Sequence, residues 1–224
     1  MKALIPAKTG SIRVPDKNFR EFFEGKCLVE LLIDKLVKVL SPRDIYISCN
    51  DYSKKEMAER LGVQFHHREE YLTLNSTPYG DVVQKVSLDL PDDDDIMWCH
   101  PTEPLFDEYG ECLKIWNGLD KAEYDSLVVC YPMRRHILDQ NFKPIGFGFG
   151  PWHSVSQDLP LMYHVNFTLG ILTRNWLRQC GYPIGRKPYW YEVNHMCIDI
   201  DDMEDWEIAK IVYEYKMKGE NHNG

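Results

Sequence analysis

A basic turn near the start of the chain carries residue types that bind phosphate. Positions 5 to 18 read IPAKTGSIRVPDKN and follow an apolar run, 3–5, that predicts a first β-strand. Small residues such as Gly10 and Ser11 let the backbone approach a ligand and expose its N–H groups. Cations at different reach can hold several phosphate oxygens, and the stretch contains Lys8, Arg13 and Lys17. The pattern is neither a P-loop nor GxGxxG, and two interpretations stand: a polyphosphate-binding turn at a strand end, or a basic solvated loop.

Two carboxylates near the other end of the chain form a second candidate site. Asp199 and Asp201 close an apolar segment, 196–200, that predicts a β-strand, in which alternate residues share a face. Two carboxylates on one face suit Mg²⁺, which takes one or two protein ligands and leaves the rest to water and phosphate. The alternative is structural, because Asp201 followed three residues later by Glu204 fits a helix N-cap with its partner.

Together, the basic turn and the acidic pair predict metal-assisted attack on a nucleoside triphosphate. The metal would neutralise phosphate charge and orient the reacting oxygens, and the cations would stabilise the departing pyrophosphate. Catalysis would then be mainly positioning and electrostatics. The predicted catalytic residues are Arg13, Lys17, Asp199 and Asp201.

The elements between these two sites alternate in type. Apolar spacing predicts helices over 26–40, 51–61, 78–90 and 107–119, and β-branched or apolar runs predict strands over 44–48, 63–66, 96–100 and 126–131. This alternation predicts an α/β fold with a mostly parallel central sheet and helices on both faces. Further strands over 166–173 and 196–200, and helices over 176–180 and 204–215, are followed by a polar tail that we expect to fray.

A segment without long periodicity, 133–163, interrupts the alternation. It contains Arg134, Arg135 and three glycines alternating with Phe147 and Phe149. We expect a loop-and-hairpin excursion that serves as an acceptor-site lid or a dimer arm, although the aromatic residues could equally be hairpin packing. We expect one domain over residues 1–224.

Composition narrows the class of protein further. The 224 residues carry a net charge of −9, which disfavours general nucleic-acid binding. No apolar run approaches the roughly 20 residues that a membrane helix needs. The seven cysteines are scattered and form no CxxC pair. No signal-peptide pattern precedes the first predicted strand. These features predict free thiols and a cytoplasmic location.

At five places the sequence resembles the CMP-sugar synthetases that activate acidic sugars, namely the acylneuraminate, other nonulosonate and Kdo cytidylyltransferases. The most specific match is residues 6–18, which are similar to the family's PARxGSxRxPxKN loop. The other matches are residues 48–51 (SCND) to an STDD-like strand end, Arg68 with Leu72 and residues 77–82, residues 100–104 (HPTEP) to QPTSP, and residues 198–201 with Asp205 to IDIDTExD. The resemblance covers most of the chain.

The resemblance implies a Rossmann-like nucleotidyltransferase fold, a homodimer formed through the excursion, and a role in CMP-sugar biosynthesis for cell-surface polysaccharide. CMP would pass from CTP to an acidic 2-keto sugar in a Mg²⁺-dependent reaction that releases pyrophosphate, with Asp199 and Asp201 as metal ligands. The implied nucleotide-binding residues are Lys8, Gly10, Ser11, Arg13, Lys17, Asn18, Arg68, Ser76 and Thr77. The candidates for acceptor binding are His100, Thr102, Arg134, Arg135, His164 and Asn166.

Departures from the family pattern cluster where the acceptor should bind. His100 replaces Gln, no Pro follows Arg68, and residues 164–166 read HVN where many sialate enzymes have RPNG. Lys8 replaces an Arg, which keeps the charge and loses the bidentate fork. An acidic acceptor needs a cation, and Arg134 or Arg135 could supply it or could simply face solvent. A nucleotidyltransferase for a non-sugar acid, a non-catalytic nucleotide-binding protein and a glycosyltransferase are the alternatives.

Overall fold

One central sheet organises the computed structural model, which describes residues 1–220. Over these residues the strands are β1 (Lys2–Pro6), β2 (Glu21–Phe23), β3 (Lys26–Cys27), β4 (Ile45–Cys49), β5 (Gln64–His67), β6 (Ile96–Cys99), β7 (Ser126–Met133), β8 (Ile137–Leu138), β9 (Pro144–Ile145), β10 (Met162–His164), β11 (Leu169–Leu172) and β12 (Pro188–Glu192). The α-helices are α1 (Leu28–Leu36), α2 (Lys55–Leu61), α3 (Tyr79–Leu88), α4 (Tyr109–Gly118), α5 (Arg174–Gln179) and α6 (Met203–Glu220).

The sheet confirms the predicted α/β class. Its strands follow the order β5-β4-β1-β6-β11-β7, with β12 along the other side of β7 and β10 paired to the carboxyl end of β7. β1, β4, β5 and β6 are mutually parallel, and β12 is parallel to β7. β11 is antiparallel to both of its neighbours, so β6 and β7 also run in the same direction. The sheet is therefore mostly parallel, as predicted.

Alternation along β1 shows how helices cover both faces. Ala3 and Ile5 pack in a cluster with α1, α2 and α4, whereas Leu4 packs with α3 and α5 on the opposite face. All three side chains are fully buried. Successive side chains of a strand point to opposite faces, so a run of apolar residues requires an apolar layer on each side.

The start of α1 and the end of α6 differ from the predicted residues. Helix α1 begins at Leu28, because the Glu30 carboxylate accepts the Cys27 backbone N–H at 2.9 Å and closes a capping box there. Residues 26–27, predicted as helix, pair instead with β2. Helix α6 continues to Glu220 where a frayed tail was expected, and Lys216 pairs with the Asp107 carboxylate. Residues 221–224 lie outside the described residues.

The excursion is a hairpin, as predicted, formed by β8 and β9 and followed by a short 3₁₀ turn at Ser156–Asp158. The strand expected at 196–200 is absent, and β12 was missed by the sequence analysis. All seven cysteines are free, as predicted. None of the helices within residues 1–220 combines the length and the apolarity that crossing a membrane would take.

A buried arginine joins α5 to the end of α3. Arg174 is 4% exposed, and its guanidinium donates to the backbone carbonyls of Ser87, Leu90 and Asp92. We expect Arg174→Leu to lower the free energy of unfolding by about 3 kcal/mol, because three backbone carbonyls lose a charged donor. Urea denaturation measures this. Arg178→Leu, which removes an exposed ion pair with Asp93, is the control and should change stability by less than about 1 kcal/mol.

Candidate active site

A cavity of about 630 Å³ opens at the carboxyl ends of the parallel strands. Its lining includes most of the residues that the sequence analysis proposed for the site. These residues are Lys8, Gly10, Ser11, Arg13, Lys17, Asn18, Arg68, Thr77, His100, Thr102 and Asp201. Parallel α/β sheets place ligands at this edge, because the loops that follow the strands meet there.

The basic turn is held in shape by its own polar contacts. Asn18 donates from Nδ2 to the Lys8 carbonyl at 3.1 Å, and Thr9 donates its backbone N–H to Asn50 Oδ1 at 3.1 Å. Gly10 has φ +81°, a left-handed conformation that favours glycine. The buried Val14 side chain anchors the middle of the turn. The turn therefore has a defined conformation on the cavity wall.

Two cations of the turn meet the acidic pair. Arg13 Nη2 donates to Asp201 Oδ1 at 2.8 Å, and Lys17 Nζ lies 3.8 Å from the same oxygen. Lys17 also donates to the Ile200 carbonyl. Burial lowers the pKa of Lys17, while the neighbouring aspartates favour its charged form. The first and last segments of the chain thus meet in one electrostatic cluster.

Arg68 is a buried cation that forms no ion pair within residues 1–220. The side chain is 4% exposed, and its Nε and Nη2 atoms are buried with no hydrogen-bond partner within residues 1–220. Burial lowers the pKa of Arg68, and burial together with the Arg68 charge lowers the pKa of Lys8. Unpaired buried donors destabilise a fold, so this arrangement favours a bound anion or an oxygen acceptor.

His100 lies in an aromatic corner that the sequence analysis missed. Trp98 Nε1 donates to His100 Nε2 at 2.8 Å, and the Tyr79 hydroxyl oxygen lies 2.9 Å from the same nitrogen. Both aromatic residues line the cavity. The period-2 spacing of Trp98 and His100 at the end of β6 was a usable signal. The position of Tyr79 depends on how α3 packs, which spacing does not reveal.

The acidic pair differs from its prediction in geometry. Because residues 196–200 do not form a strand, alternation does not place the two carboxylates on one face. Asp199 Oδ1 accepts from Thr102 Oγ1 at 2.6 Å and is partly buried outside the cavity lining, whereas Asp201 is exposed on the cavity wall. The N-cap of α6 is Asp202, whose Oδ1 accepts the N–H groups of Glu204 and Asp205. Asp201 is therefore not the helix cap.

Glu103 was also missed, and it anchors the segment that carries the pair. The side chain is 2% exposed, and its Oε2 accepts the Ile198 N–H at 2.6 Å and the Asn166 amide at 3.2 Å. Thr102 adds a second support, since its carbonyl accepts the Ile200 N–H at 2.9 Å. Burial raises the pKa of Glu103. Residues 198–200 therefore bond to the turn after β6 and need no neighbouring strand.

A family model described as "Cytidylyltransferase" matches residues 2–141, more than half of the chain. The chain belongs to the cytidylyltransferase family. The matched range contains the basic turn, Arg68 and residues 100–104, which carry most of the motifs in the cavity.

Two curated cytidylyltransferases are similar over nearly the whole chain. N-acylneuraminate cytidylyltransferase of Streptococcus agalactiae serotype V is 22% identical over 96% of this chain and 54% of its own length. Pseudaminic acid cytidylyltransferase of Campylobacter jejuni is 26% identical over 94% of both chains. The chain thus spans about half the length of the N-acylneuraminate relative. The two relatives are named for the acidic sugars N-acylneuraminate and pseudaminic acid.

Solved structures support the cytidylyltransferase fold. A CMP:2-keto-3-deoxy-manno-octonic acid synthetase solved with CTP superposes with a TM-score of 0.69 at 13% identity, over 96% of this chain and 98% of the other. A 4-diphosphocytidyl-2C-methyl-D-erythritol synthase from Anaerococcus prevotii gives 0.59 at 12% identity, over 95% of each chain. At these identities the likeness concerns the fold alone.

Some predicted site residues of the cytidylyltransferase lie elsewhere. Ser76 does not line the cavity, and neither do the exposed Arg134, Arg135 and His164. Arg134 donates to the Leu159 carbonyl within the excursion. Asn166 is buried. Its amide donates to Glu103 and accepts from the Thr168 hydroxyl, so it supports the residues around the site and does not line the cavity.

The acidic pair offers donor atoms suited to Mg²⁺, the cofactor that the resemblance implies. Burial raises the pKa of Asp199, and the Asp201 charge raises it further, so a divalent cation at the pair would relieve this repulsion. Both residues offer the hard oxygen donors that Mg²⁺ takes. Among residues 1–220, no group of three or more His, Cys, Asp or Glu is placed to hold a metal. With only two protein carboxylates, the remaining ligands would come from water and phosphate.

We expect the free energy of unfolding to depend on pH through the His100 ring. Burial, followed by the Lys17 and Arg68 charges, lowers its pKa from 6.5 to about 4. Below pH 6.5 the folded state therefore binds fewer protons than the unfolded state. The stability that the neutral His100 ring contributes is fully present above pH 6.5 and is lost as pH falls toward 4. We expect the wild type to lose about 1–2 kcal/mol more than His100→Gln between pH 7.5 and 5 in urea denaturation. Parallel curves for the two proteins would contradict this.

Proposed function

We propose that this enzyme transfers CMP from CTP to an acidic 2-keto sugar and releases pyrophosphate. The observation that carries the proposal is the meeting of the basic turn, the unpaired Arg68 and Asp201 on one cavity. The family supports nucleotidyl transfer from CTP. Relatives named for N-acylneuraminate and pseudaminic acid support an acidic sugar as the acceptor.

The nucleotide occupies the side of the cavity formed by the basic turn and the segment after β5. Arg68, with two unpaired donors, takes an oxygen of the nucleotide, and Lys8 stands beside it, bonded to the Thr73 carbonyl at 2.7 Å. Thr77 lines the same part of the cavity, and its hydroxyl donates to the Tyr71 carbonyl. The triphosphate lies along residues 8–18, where a glycine-containing backbone and three cations converge.

In the reaction, the anomeric hydroxyl oxygen of the sugar attacks the α-phosphorus of CTP. A bond forms between that oxygen and phosphorus, the bond to the bridging oxygen breaks, and pyrophosphate departs as the hydroxyl proton is released. Arg13 and Lys17 hold the negative charge that builds on the departing phosphates. When the triphosphate binds, Arg13 exchanges its Asp201 partner for phosphate oxygens.

Asp199 and Asp201 would hold Mg²⁺ in this proposal. The ion would neutralise phosphate charge and orient the reacting oxygens. The protein contributes the placement of the pair, since Thr102 orients Asp199 by a 2.6 Å hydrogen bond and Glu103 fixes the backbone at Ile198. Asp199 therefore needs little reorganisation when the substrates arrive, because its hydrogen bond with Thr102 is already formed.

The excursion is proposed to be the arm of a homodimer or a lid over the acceptor. Apolar side chains exposed on it support an association surface, with Phe142 79% and Trp152 78% exposed. Large apolar side chains in such numbers are unusual on the surface of a monomer. Analytical ultracentrifugation of the wild type and Trp152→Ser measures this, and a wild-type monomer at micromolar concentration would contradict the dimer.

The test of the function is pyrophosphate release with Mg²⁺, each nucleoside triphosphate, and a panel of N-acetylneuraminate, pseudaminate and Kdo. We expect turnover with CTP and one acidic sugar, and loss of turnover in the double variant Asp199→Ala, Asp201→Ala. CTP binding without turnover on any acidic sugar would contradict the acceptor class. A protein that binds no triphosphate would contradict the role of the basic turn.

A further inference from the structure

The aromatic corner around His100 controls which ring nitrogen carries the proton. The indole Nε1 of Trp98 lies 2.8 Å from His100 Nε2, and Trp98 is 1% exposed, so the indole is held by the core. An indole N–H can only donate a hydrogen bond. Nε2 is therefore the accepting nitrogen, and in the neutral ring the proton resides on Nδ1.

The other nitrogen of the ring remains available. Among the hydrogen bonds within residues 1–220, none engages His100 Nδ1, and the ring lines the cavity. Tyr79 approaches the same Nε2 at 2.9 Å, so both aromatic neighbours occupy one side of the imidazole. An Nδ1–H group on this ring is therefore free to donate to an oxygen bound in the cavity.

The ring is also kept uncharged. A proton on Nε2 would oppose the Trp98 N–H, and the cations Lys17 and Arg68 add repulsion. Burial and these charges lower the pKa of His100 to about 4. The donor is therefore neutral at physiological pH, whereas Lys8, Arg13, Lys17 and Arg68 in the same cavity are cationic. A neutral donor recognises a neutral oxygen and leaves the carboxylate and phosphates to the cations.

We propose that Trp98 and Tyr79 lock His100 as a neutral Nδ1–H donor, which selects acceptor sugars that offer a hydroxyl or amide carbonyl oxygen to it. His100 contacts the substrate, and Trp98 and Tyr79 are positioning residues. The inference rests on the proposed function, because it assigns His100 to the sugar acceptor. A sugar that presents a hydrogen-bond donor alone at this point would leave two donors facing each other.

The position of His100 favours the acceptor over the nucleotide. It follows β6, whereas Arg68 follows β5, and these strands lie on opposite sides of β1 in the sheet. His100 also precedes by two residues Thr102, which binds Asp199 at 2.6 Å. His100 therefore stands on the same side as the acidic pair, where the attacking hydroxyl has to meet the α-phosphorus.

Kinetics test the contact. We expect His100→Ala to lower kcat/KM for the acceptor by about 10-fold, mainly through KM, with the KM for CTP changed less than twofold, because one neutral hydrogen bond is lost. His100→Gln should recover most of this loss, since an amide N–H can donate. His67→Ala is the control, because His67 is exposed, stacks on Tyr52 and lies outside the cavity lining. A larger effect on CTP than on the acceptor would overturn the assignment.

Histidine side-chain ¹⁵N NMR tests the lock directly in the free protein. The His100 signals are identified by their disappearance in His100→Gln, and at pH 7 we expect a protonated Nδ1 and an unprotonated Nε2. Trp98→Phe should convert this to a tautomer mixture, and Tyr79→Phe, which keeps the ring, gives a second measurement should Trp98→Phe not fold. A protonated Nε2 in the wild type would overturn the inference and leave the function standing. Failure to turn over any sugar would overturn the function instead, since the tautomer is measured without turnover.

Discussion

Replacing Arg68 by Met is expected to make the protein more stable and nearly unable to bind CTP. Two of the guanidinium nitrogens are buried without a partner among the described residues, and unpaired buried donors cost about 1–3 kcal/mol. Removing them should raise the free energy of unfolding by about 1 kcal/mol. The same substitution removes charged hydrogen bonds to the nucleotide, so CTP affinity should fall by about 100-fold. Urea denaturation and isothermal titration calorimetry measure the two effects.

The matched control is Arg174→Met. Both arginines are 4% exposed, but the Arg174 guanidinium donates to three backbone carbonyls and lies outside the cavity lining. This variant should lose stability and retain CTP affinity in the remaining folded protein, the reverse of Arg68→Met. If both variants lost stability to the same extent, Arg68 would be a structural residue and its role in binding would be wrong.

Neutralising Asp201 is expected to lower kcat by about 10²–10³-fold, because preorganised charge at a transition state has effects of this size. Asp201→Asn removes the partner of Arg13 and one of the two carboxylates proposed to hold Mg²⁺. Asp199→Asn should act similarly, since it removes the other carboxylate of the pair, which a hydrogen bond from Thr102 orients. Pyrophosphate release gives kcat, and Mn²⁺ binding followed by electron paramagnetic resonance reports the metal site independently of turnover.

Asp202→Asn is the control for this pair. Asp202 is adjacent in sequence, but its carboxylate accepts the N–H groups at the start of α6, and asparagine caps a helix about as well. We expect kcat and Mn²⁺ affinity within about twofold of the wild type, because the substitution keeps the cap and leaves Asp199 and Asp201 unchanged. Equal losses in Asp201→Asn and Asp202→Asn would indicate a general effect of charge and would argue against a metal site at Asp199 and Asp201.

The part of the site that depends on short-range spacing was predictable. The basic turn lies directly after β1. Because β1 ends at the edge of the sheet where the cavity opens, the cations of the turn, Gly10 and Ser11 line that cavity. The alternation of strands and helices through β7 was likewise predictable, because each element repeats its apolar residues with its own period.

The arrangement around the acidic pair required the tertiary structure. The apolar segment 196–200 suggests a strand, but its N–H groups bond to Glu103 and Thr102, which are nearly 100 residues away in sequence. A backbone that finds distant partners needs no neighbouring strand, and no local pattern reveals such partners. The same contacts decide that Asp199 is partly buried, that Asp201 faces the cavity, and that the neighbouring Asp202 caps α6.

The sequence by itself therefore determined the α/β class, the family and the place of the basic turn at the end of β1, since each depends on residues close together in the chain. Only the tertiary structure decided that Arg68 is buried without a partner, that Trp98 and Tyr79 surround His100, and that Arg134 and Arg135 lie outside the cavity. Burial and the pairing of charges depend on which distant segments meet, and that is a property of packing and not of spacing.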